Sequence, residues 1–417
     1  MMQSFKIDSS EIDKIKILDE KDKKFRLKNL EKFNTSGFPT KNHEDWKFSD
    51  LKNIFNKNFK TLNINQTKSQ IKFVNLIKEF DHNYIVLING KLYQSDFKFE
   101  QKDKIKICNY YDEDYSEEET SNSMLCLNHA MSNDGFSLTV ESNYKFEKVL
   151  VIYNIFTKDL SNNILNNKNK IFLGKNSEMH TIEYTINKSK NKFVNNTYES
   201  VFLNENSIFK NISIQANKSE GYFHKFSSNK LQSNSNYSTF IFTSGLKFNK
   251  IDMVFNLEGE NSDCNLRSAL FLDKDDHQEI KTKINHLVPN CKSFQKVKNV
   301  LDSKGKGVYQ GKIYVKDVAQ KTNAYQLSKA LLLSEGSEFN SKPELEIYAD
   351  DVKCSHGSTS GNVDDNSVHY LMTRGLTRKQ SIQLLINGFL NEIIGEIKNN
   401  SIREFVEKKM ELQIYGY

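Results

Sequence analysis

Between about residue 125 and residue 355 the chain alternates apolar and polar positions in short runs. Ile182, Tyr184 and Ile186 alternate through "HTIEYTI", and Ile208, Ile212 and Ile214 recur through "SIFKNISI". Period two over such runs predicts strands with one buried face, because successive side chains leave opposite sides of the pleat. Clusters of Asn, Ser, Gly and Lys separate the runs, and no helical pattern intervenes. Roughly 230 residues of short strands without helices argue against a doubly wound sheet. A sandwich, a barrel and a β-solenoid all satisfy the pattern, and no clean sequence repeat chooses among them.

The flanks read as helical. At the N-terminal side "SSEIDKIKILDE" offers serine caps, and Phe25, Leu27, Leu30 and Phe33 keep a helical spacing that Gly37 and Pro39 end. Trp46, the only tryptophan, falls near Leu51, Ile54 and Phe55 and is expected to anchor that region in a core. Asn89-Gly90, between two runs of strand composition, predicts a tight hairpin. Towards the C-terminus Ile382, Leu385, Ile386, Phe389, Ile393 and Ile397 fall at helical spacing, with Thr377 and Gln380 as a capping box and Ser401 with Glu404 as a second helix start. Leu384, Leu390 and Ile394 widen that apolar stripe beyond one face, so the helix is expected to pack on its own body and offer a side to a partner. The chain divides into a mostly helical region with a hairpin (1–125), a β-rich core (126–358) and a helical end (359–417).

Charge adds little to this division. The 59 basic and 53 acidic residues are interspersed, and their net +6 describes a solvated surface better than a nucleic-acid footprint. Five cysteines without a C-x-x-C spacing are expected to be reduced thiols. No apolar run reaches membrane-spanning length and no apolar signal core is present, so a cytoplasmic protein is expected. A phosphate loop, a G-x-S-x-G elbow and an H-E-x-x-H helix are all missing from the sequence. "GKGVYQGK" (305–312) lacks phosphate-loop spacing and reads as a turn between strands.

Two stretches could carry chemistry. His277 and His286 flank a polar segment that contains Asp275 and Asp276, but their separation is not a specific ligand spacing. In "DDVKCSHGSTSGNVDD", Cys354 and His356 stand two apart, and an extended segment would project both from one face, about 7 Å apart at the backbone. Three readings stay open there: a polar structural bend, a thiolate–imidazole metal or cluster contact, and a nucleophile with its base. Two ligands do not close a tetrahedral site, so a metal reading needs donors from another polypeptide or from sulfide. The catalytic reading needs a group that orients the base, and the sequence shows no oxyanion hole.

Several stretches together resemble the SufB/SufD family of iron–sulfur cluster assembly scaffolds. The densest run from "GVYQGKIYVKDVAQKTNAYQLSKALLLSEGSEFNSKPELEIYADDVKCSHGSTSG" to "YLMTRGLTRKQSIQLLINGF", with "HQEIKTKINHLVPNCKSFQKVKNVLDSKGKG" upstream and weaker echoes at "GFPTKNHEDWKFSDL" and "LNHAMSNDGFSLTV". "KPELEIYADDVKCSHG" is similar to the SufD branch, whereas Asn387-Gly388 in "LLINGF" is closer to SufB. The resemblance implies a right-handed parallel β-helix between helical ends and a scaffold subunit without turnover of its own. It implies pairing with SufB, attachment of the SufC ATPase through the C-terminal helices, and a transient iron–sulfur cluster near the SufB contact. There His356 would contact iron or cluster with Cys354 beside it, and the resemblance links a reduced flavin to the complex without identifying a flavin site in this sequence. A homodimer of the isolated chain is also compatible. The competing class is a cysteine- or metal-dependent hydrolase built on Cys354 and His356; a carbohydrate-active β-helix is a third.

Overall fold

A computed structural model describes residues 5–64, 77–112, 120–395 and 397–415. Its centre is a β-solenoid of about eight turns over residues 134–362. The chain enters through β1 (Asn83–Ile88), β2 (Lys91–Asp96), β3 (Ile105–Asn109) and β4 (Asp134–Val140). It continues through β5 (Leu150–Phe156), β6 (Ile164–Leu173), β7 (Glu178–Asn187), β8 (Phe193–Leu203), β9 (Ile208–Leu231) and β10 (Asn236–Leu257). The remaining strands are β11 (Asp263–Leu272), β12 (His277–His286), β13 (Lys292–Leu301), β14 (Lys306–Val315), β15 (Asn323–Leu332), β16 (Glu338–Ile347) and β17 (Lys353–Asn362).

From β4 onward each strand pairs in parallel with one a full turn away, as in Asp263↔Lys292 and Lys292↔Asn323, and so builds two stacked sheets, whereas β2 and β3 pair antiparallel with β1 and β4. One runs β5, β7, β9, β10, β11, β13, β15, β17; the other runs β4, β6, β8, β9, β10, β12, β14, β16. The long β9 and β10 turn the corner and belong to both. β1 and β2 form the hairpin foreseen at Asn89-Gly90, both residues at positive φ, and β1 joins the first sheet beside β5.

The turns hold the repeat that the sequence hides. Asn143, Asn176, Asn206, Asn234, Asn261 and Asn290 recur once per turn, all at positive φ, a region where asparagine is tolerated better than other non-glycine residues. Their amides stack: Asn176 donates to Asn143 at 2.7 Å, Asn206 to Asn176 at 2.9 Å and Asn234 to Asn206 at 3.1 Å.

Both faces of the strands are covered, which changes the meaning of the alternation. Ile182, Ile212 and Ile214 do not line the solenoid interior. They form its outer face, together with Val151, Tyr153, Phe240 and Phe242, under the C-terminal helices. Those helices are α5 (Arg378–Ile394) and α6 (Asn400–Tyr415), preceded by α4 (Asp365–Thr373) once the three N-terminal helices α1 (Glu20–Ser36), α2 (Leu51–Asn58) and α3 (Ser123–Met131) are counted. Ile386, Leu390, Ile393, Ile394, Phe405 and Val406 supply the helical side of that contact. Glu392 of α5 pairs with Lys296 and Lys298 of β13, which fixes the helix across the sheet.

On the other sheet, Phe33, Trp46, Phe55, Leu127 and Ala130 pack with Val194, Tyr222 and Phe248. Trp46 is buried there as its neighbours predicted. α1 opens on an Asp19 cap and ends at Gly37 with φ +66°, while Arg26, fully buried, pairs with Asp22 at 2.8 Å and donates to the Ala130 and Ser132 carbonyls.

Local readings need correction in three places. "GKGVYQGK" is mostly the strand β14, not a turn; only Gly305 precedes it. Its Gly311 faces the interior, where a Cβ would collide with Tyr309 Oη and Gln326 Oε1. The second C-terminal helix starts from Asn399, whose Oδ1 accepts the Ile402 N–H at 3.1 Å, not from Ser401. The first short helix (Ser9–Lys14) is capped by Asp8 instead of a serine. The Thr377–Gln380 capping box forms as expected.

Candidate functional site

The last turn of the solenoid is built differently from the rest. β16 pairs only with β14 and β17 only with β15 in the described ladder, so each presents its far edge unpaired. In β15 the alternate residues Ala324, Gln326 and Ser328 are buried towards the interior. Register places Cys354 opposite Ala324, His356 opposite Gln326 and Ser358 opposite Ser328. The "KCSHG" side chains therefore continue the interior rows into the mouth, where no further turn covers them.

The consequences differ along the strand. Cys354 is half-buried against Ile313, Val315, Ala319 and Ala324, and that burial pushes its thiol up from the ordinary cysteine range. His356 is exposed. Ser328 donates to Ser358 at 3.0 Å and shares a 2.8 Å hydrogen bond with Ser341 of β16, which ties the two open strands together. On the rim, Ile347 and Tyr348 are exposed, and Tyr348 meets Tyr314 edge to face.

A polar file inside the solenoid leads to this mouth, and sequence reasoning did not single it out. Thr282 donates to Gln295 Oε1 at 2.5 Å, and Tyr309 Oη lies 3.2 Å from that oxygen and 3.3 Å from Gln326 Oε1. Gln326 sits one strand below His356. The signal was present: Thr282, Gln295 and Gln326 occupy inward positions of period-two runs where an apolar residue would be expected.

The other candidates resolve into structure. His277 Nε2 lies 2.9 Å from Ser49 Oγ and His286 Nε2 2.9 Å from Ser293 Oγ; burial lowers both imidazoles to about 4. Asp275 pairs with Lys247, and burial raises the Asp276 carboxyl to about 7. Among the described residues, no three His, Cys, Asp or Glu side chains gather into a set able to hold a metal ion. Cys354 and His356 are thus at most two donors. A flavin does not fit the enclosed interior, whose chamber beside Asn195 and Lys225 measures only about 40 Å³.

Of the three residues expected on a partner face, Leu384 is half exposed, whereas Leu390 and Ile394 are buried against the solenoid. The wide stripe is real, but two of its three extra members belong to the chain's own core. Among the described residues, no helix is long and apolar enough to cross a membrane.

Comparison with known proteins agrees with this architecture. The E. coli K12 iron–sulfur cluster assembly protein SufD is 34% identical over 160 residues, 38% of this chain and 38% of that protein. An iron–sulfur cluster assembly SufBD family protein of Synechocystis is 41% identical over 120 residues, 29% of this chain and 26% of its own length. These alignments span well under two-thirds of either relative. Family-level matches reach further: residues 14–152 match the SufBD protein N-terminal region, and residues 155–389 match the SufBD core domain of SUF system FeS cluster assembly. With more than half of its length inside that core description, the chain belongs to the SufBD family of Suf-system iron–sulfur cluster assembly proteins.

Proposed function

We propose that this chain is a non-catalytic scaffold subunit, of the SufD type, in a cytoplasmic Suf complex. Its solenoid end pairs with SufB, its C-terminal helical region (359–417) holds the SufC ATPase, and a nascent iron–sulfur cluster is assembled as cargo where the two solenoids meet. The observation that carries this reading is the uncapped last turn. Its strand edges are open, His356 and Ser358 of its inward row are exposed, and its two potential donors fall short of a ligand set. A second chain that paired with β16 or β17 would cover these side chains and could add the missing donors.

In this arrangement His356 is the iron or cluster contact and Cys354 the auxiliary thiol beside it. The N-terminal region (1–125) and the solenoid core (126–358) act as the rigid support. A reduced flavin, if the complex carries one, is held outside the solenoid interior. The hydrolase reading loses ground, because burial raises the Cys354 thiol whereas a nucleophile needs it lowered.

The test is assembly by the full complex. SufB, SufC and the full chain are co-purified without oxygen, supplied with iron and a sulfur donor, and followed by cluster absorbance. His356→Ala is expected to join the complex, melt normally and form no cluster. Cys354→Ser is expected to form less cluster than the wild type. A His356→Ala complex that assembles cluster at the wild-type yield would remove the site assignment, and failure of the wild-type chain to bind SufB would remove the scaffold reading.

A further inference from the structure

The two open edges of the last turn are not alike. In a parallel ladder the N–H and C=O of one residue turn to one neighbouring strand, and those of the next residue turn to the other side. Hydrogen bonds at both ends of β16 fix its phase. Glu338 donates to the Gly305 carbonyl and Tyr348 to the Val315 carbonyl, each at 3.0 Å. The register between them runs without a slip, from Lys306↔Glu338 to Val315↔Ile347. Even-numbered residues of β16 therefore bond to β14, and Phe339, Ser341, Pro343, Leu345 and Ile347 turn their backbone groups to the free edge. Pro343, in the middle of that row, has no N–H to offer, and its ring lies where a paired strand would have to approach.

β17 has the opposite character. Lys353 donates to the Thr322 carbonyl at 2.8 Å and Val363 to the Leu332 carbonyl at 3.2 Å, with an unbroken register to β15 between them. Odd-numbered residues of β17 thus bond to β15, and its free edge carries the backbone groups of Cys354, His356, Ser358, Ser360 and Asn362. No proline interrupts this row, and Lys353 is the one charged residue of the strand, whereas β16 carries Glu338, Lys342, Glu344 and Glu346. β17 is exposed at every residue except Cys354 and Gly357, while β16 is half-buried from Phe339 to Glu346. Proline and charge are the ordinary means by which a sheet edge is kept from pairing. One edge of this turn is blocked by both, and the other by neither.

We propose that β17 is the edge to which the partner chain adds a strand, and that Pro343 keeps β16 out of that pairing. The inference rests on the scaffold reading above and names the edge through which its contact is made. The occupant is the terminal strand of a related solenoid. Each earlier strand of this ladder is met by another strand one turn on, and a strand set beside β17 continues the rows Ala324–Cys354, Gln326–His356 and Ser328–Ser358. Pairing there brings the partner's side chains next to Cys354 and His356. Pairing at β16 would place them beside Ser341, Pro343 and Leu345, about 10 Å away on the facing sheet.

Amide hydrogen exchange of the full chain, alone and with purified SufB, tests this without any substitution. On addition of SufB the amides of His356, Ser358 and Ser360 are expected to become protected, and those of Phe339, Ser341, Leu345 and Ile347 to exchange as before. Two proline substitutions at outward-turned N–H groups add a binding readout. Ser360→Pro removes a donor from the β17 edge and is expected to weaken SufB binding by roughly tenfold or more, because it leaves a partner carbonyl unpaired in the joint. Ser341→Pro adds a second block to an edge already closed and should leave the affinity unchanged. SufB binding with equal protection of β16, or with wild-type affinity in a folded Ser360→Pro, would overturn the edge assignment and leave the scaffold reading standing. Absence of SufB binding by the wild type would overturn both. Protection of β17 that grows with the concentration of the chain alone would make a second copy the occupant and would overturn the assignment to a related solenoid. The wild-type exchange pattern decides even if neither variant folds.

Discussion

Helix α5 presents two faces, and the structure assigns them opposite consequences. Leu390 is fully buried between α5 and the sheet, in a cluster with Ile386, Ile393 and Val300. Leu384 is 50% exposed. Leu390→Ala removes three carbons from a packed site and is expected to cost about 2–5 kcal/mol. Leu384→Asp changes a side chain that is half in water, so its cost is helix propensity plus a little packing, about 0.5–1 kcal/mol. Denaturant unfolding of the isolated chain should show a clear drop in midpoint for Leu390→Ala and a small one for Leu384→Asp. Binding should follow the reverse order. If SufC docks on the exposed face, Leu384→Asp is expected to weaken it by about 2 kcal/mol, roughly 30-fold in Kd, while a folded Leu390→Ala binds nearly as wild type. Equal loss of stability in the two variants would refute the face assignment. Unchanged SufC affinity in Leu384→Asp would move the ATPase contact off this helix.

Two further outcomes test the interior and the turns. Gly311→Ala is expected to destabilise by about 1–3 kcal/mol, because its Cβ meets Tyr309 and Gln326 inside β14; a neutral effect in thermal melting would mean that the interior relaxes freely there. Asp276, buried and raised to about 7, keeps its proton in the folded state after the unfolded chain has released it, so it withdraws stability as pH rises from about 4 to 7. Asp276→Asn should therefore raise Tm at pH 8 by more than at pH 4, and equal changes at both would sink the argument.

Much of the fold was readable because its signals are local. The period-two runs, the Asn89-Gly90 hairpin, the Thr377–Gln380 box and the Trp46 cluster each depend on neighbours in sequence, and each formed. The stacking did not show, because only one turn position per coil is constrained. Asn176, Asn206 and Asn234 repeat for their backbone conformation and their ladder, whereas the strands between them vary freely provided they alternate. The direction of burial was hidden for another reason. Ile182 and Ile212 alternate as interior residues would, but the elements that cover them are the C-terminal helices some 200 residues away. Meanwhile Glu183, which reads as the solvent face, turns inward and lines the chamber, and Asn211 donates to it. Period fixes which residues share a face and says nothing about which face is inside.

The mouth is where that ambiguity bears on function. Along the interior rows, Ala324, Gln326 and Ser328 become Cys354, His356 and Ser358 in the next strand, and the burial of the row ends with that step. A solenoid that ended as an independent unit would be expected to cap its last turn with a helix or a crossing loop, to cover the apolar interior and the unpaired backbone. Here the chain leaves β17 for α4 and packs α5 and α6 on the flank of the first sheet, so its helical mass is used beside the axis and not across its end. The apolar residues Ile347 and Tyr348 are left on the rim. An end that is open, partly apolar and short of ligands is a template for association with another chain. A partner that carries its own solenoid edge meets all three requirements at once. The same placement explains why a cysteine and a histidine two apart stayed ambiguous in the sequence: they lie at an uncovered end, and under the proposed scaffold reading a partner's groups would decide their chemistry.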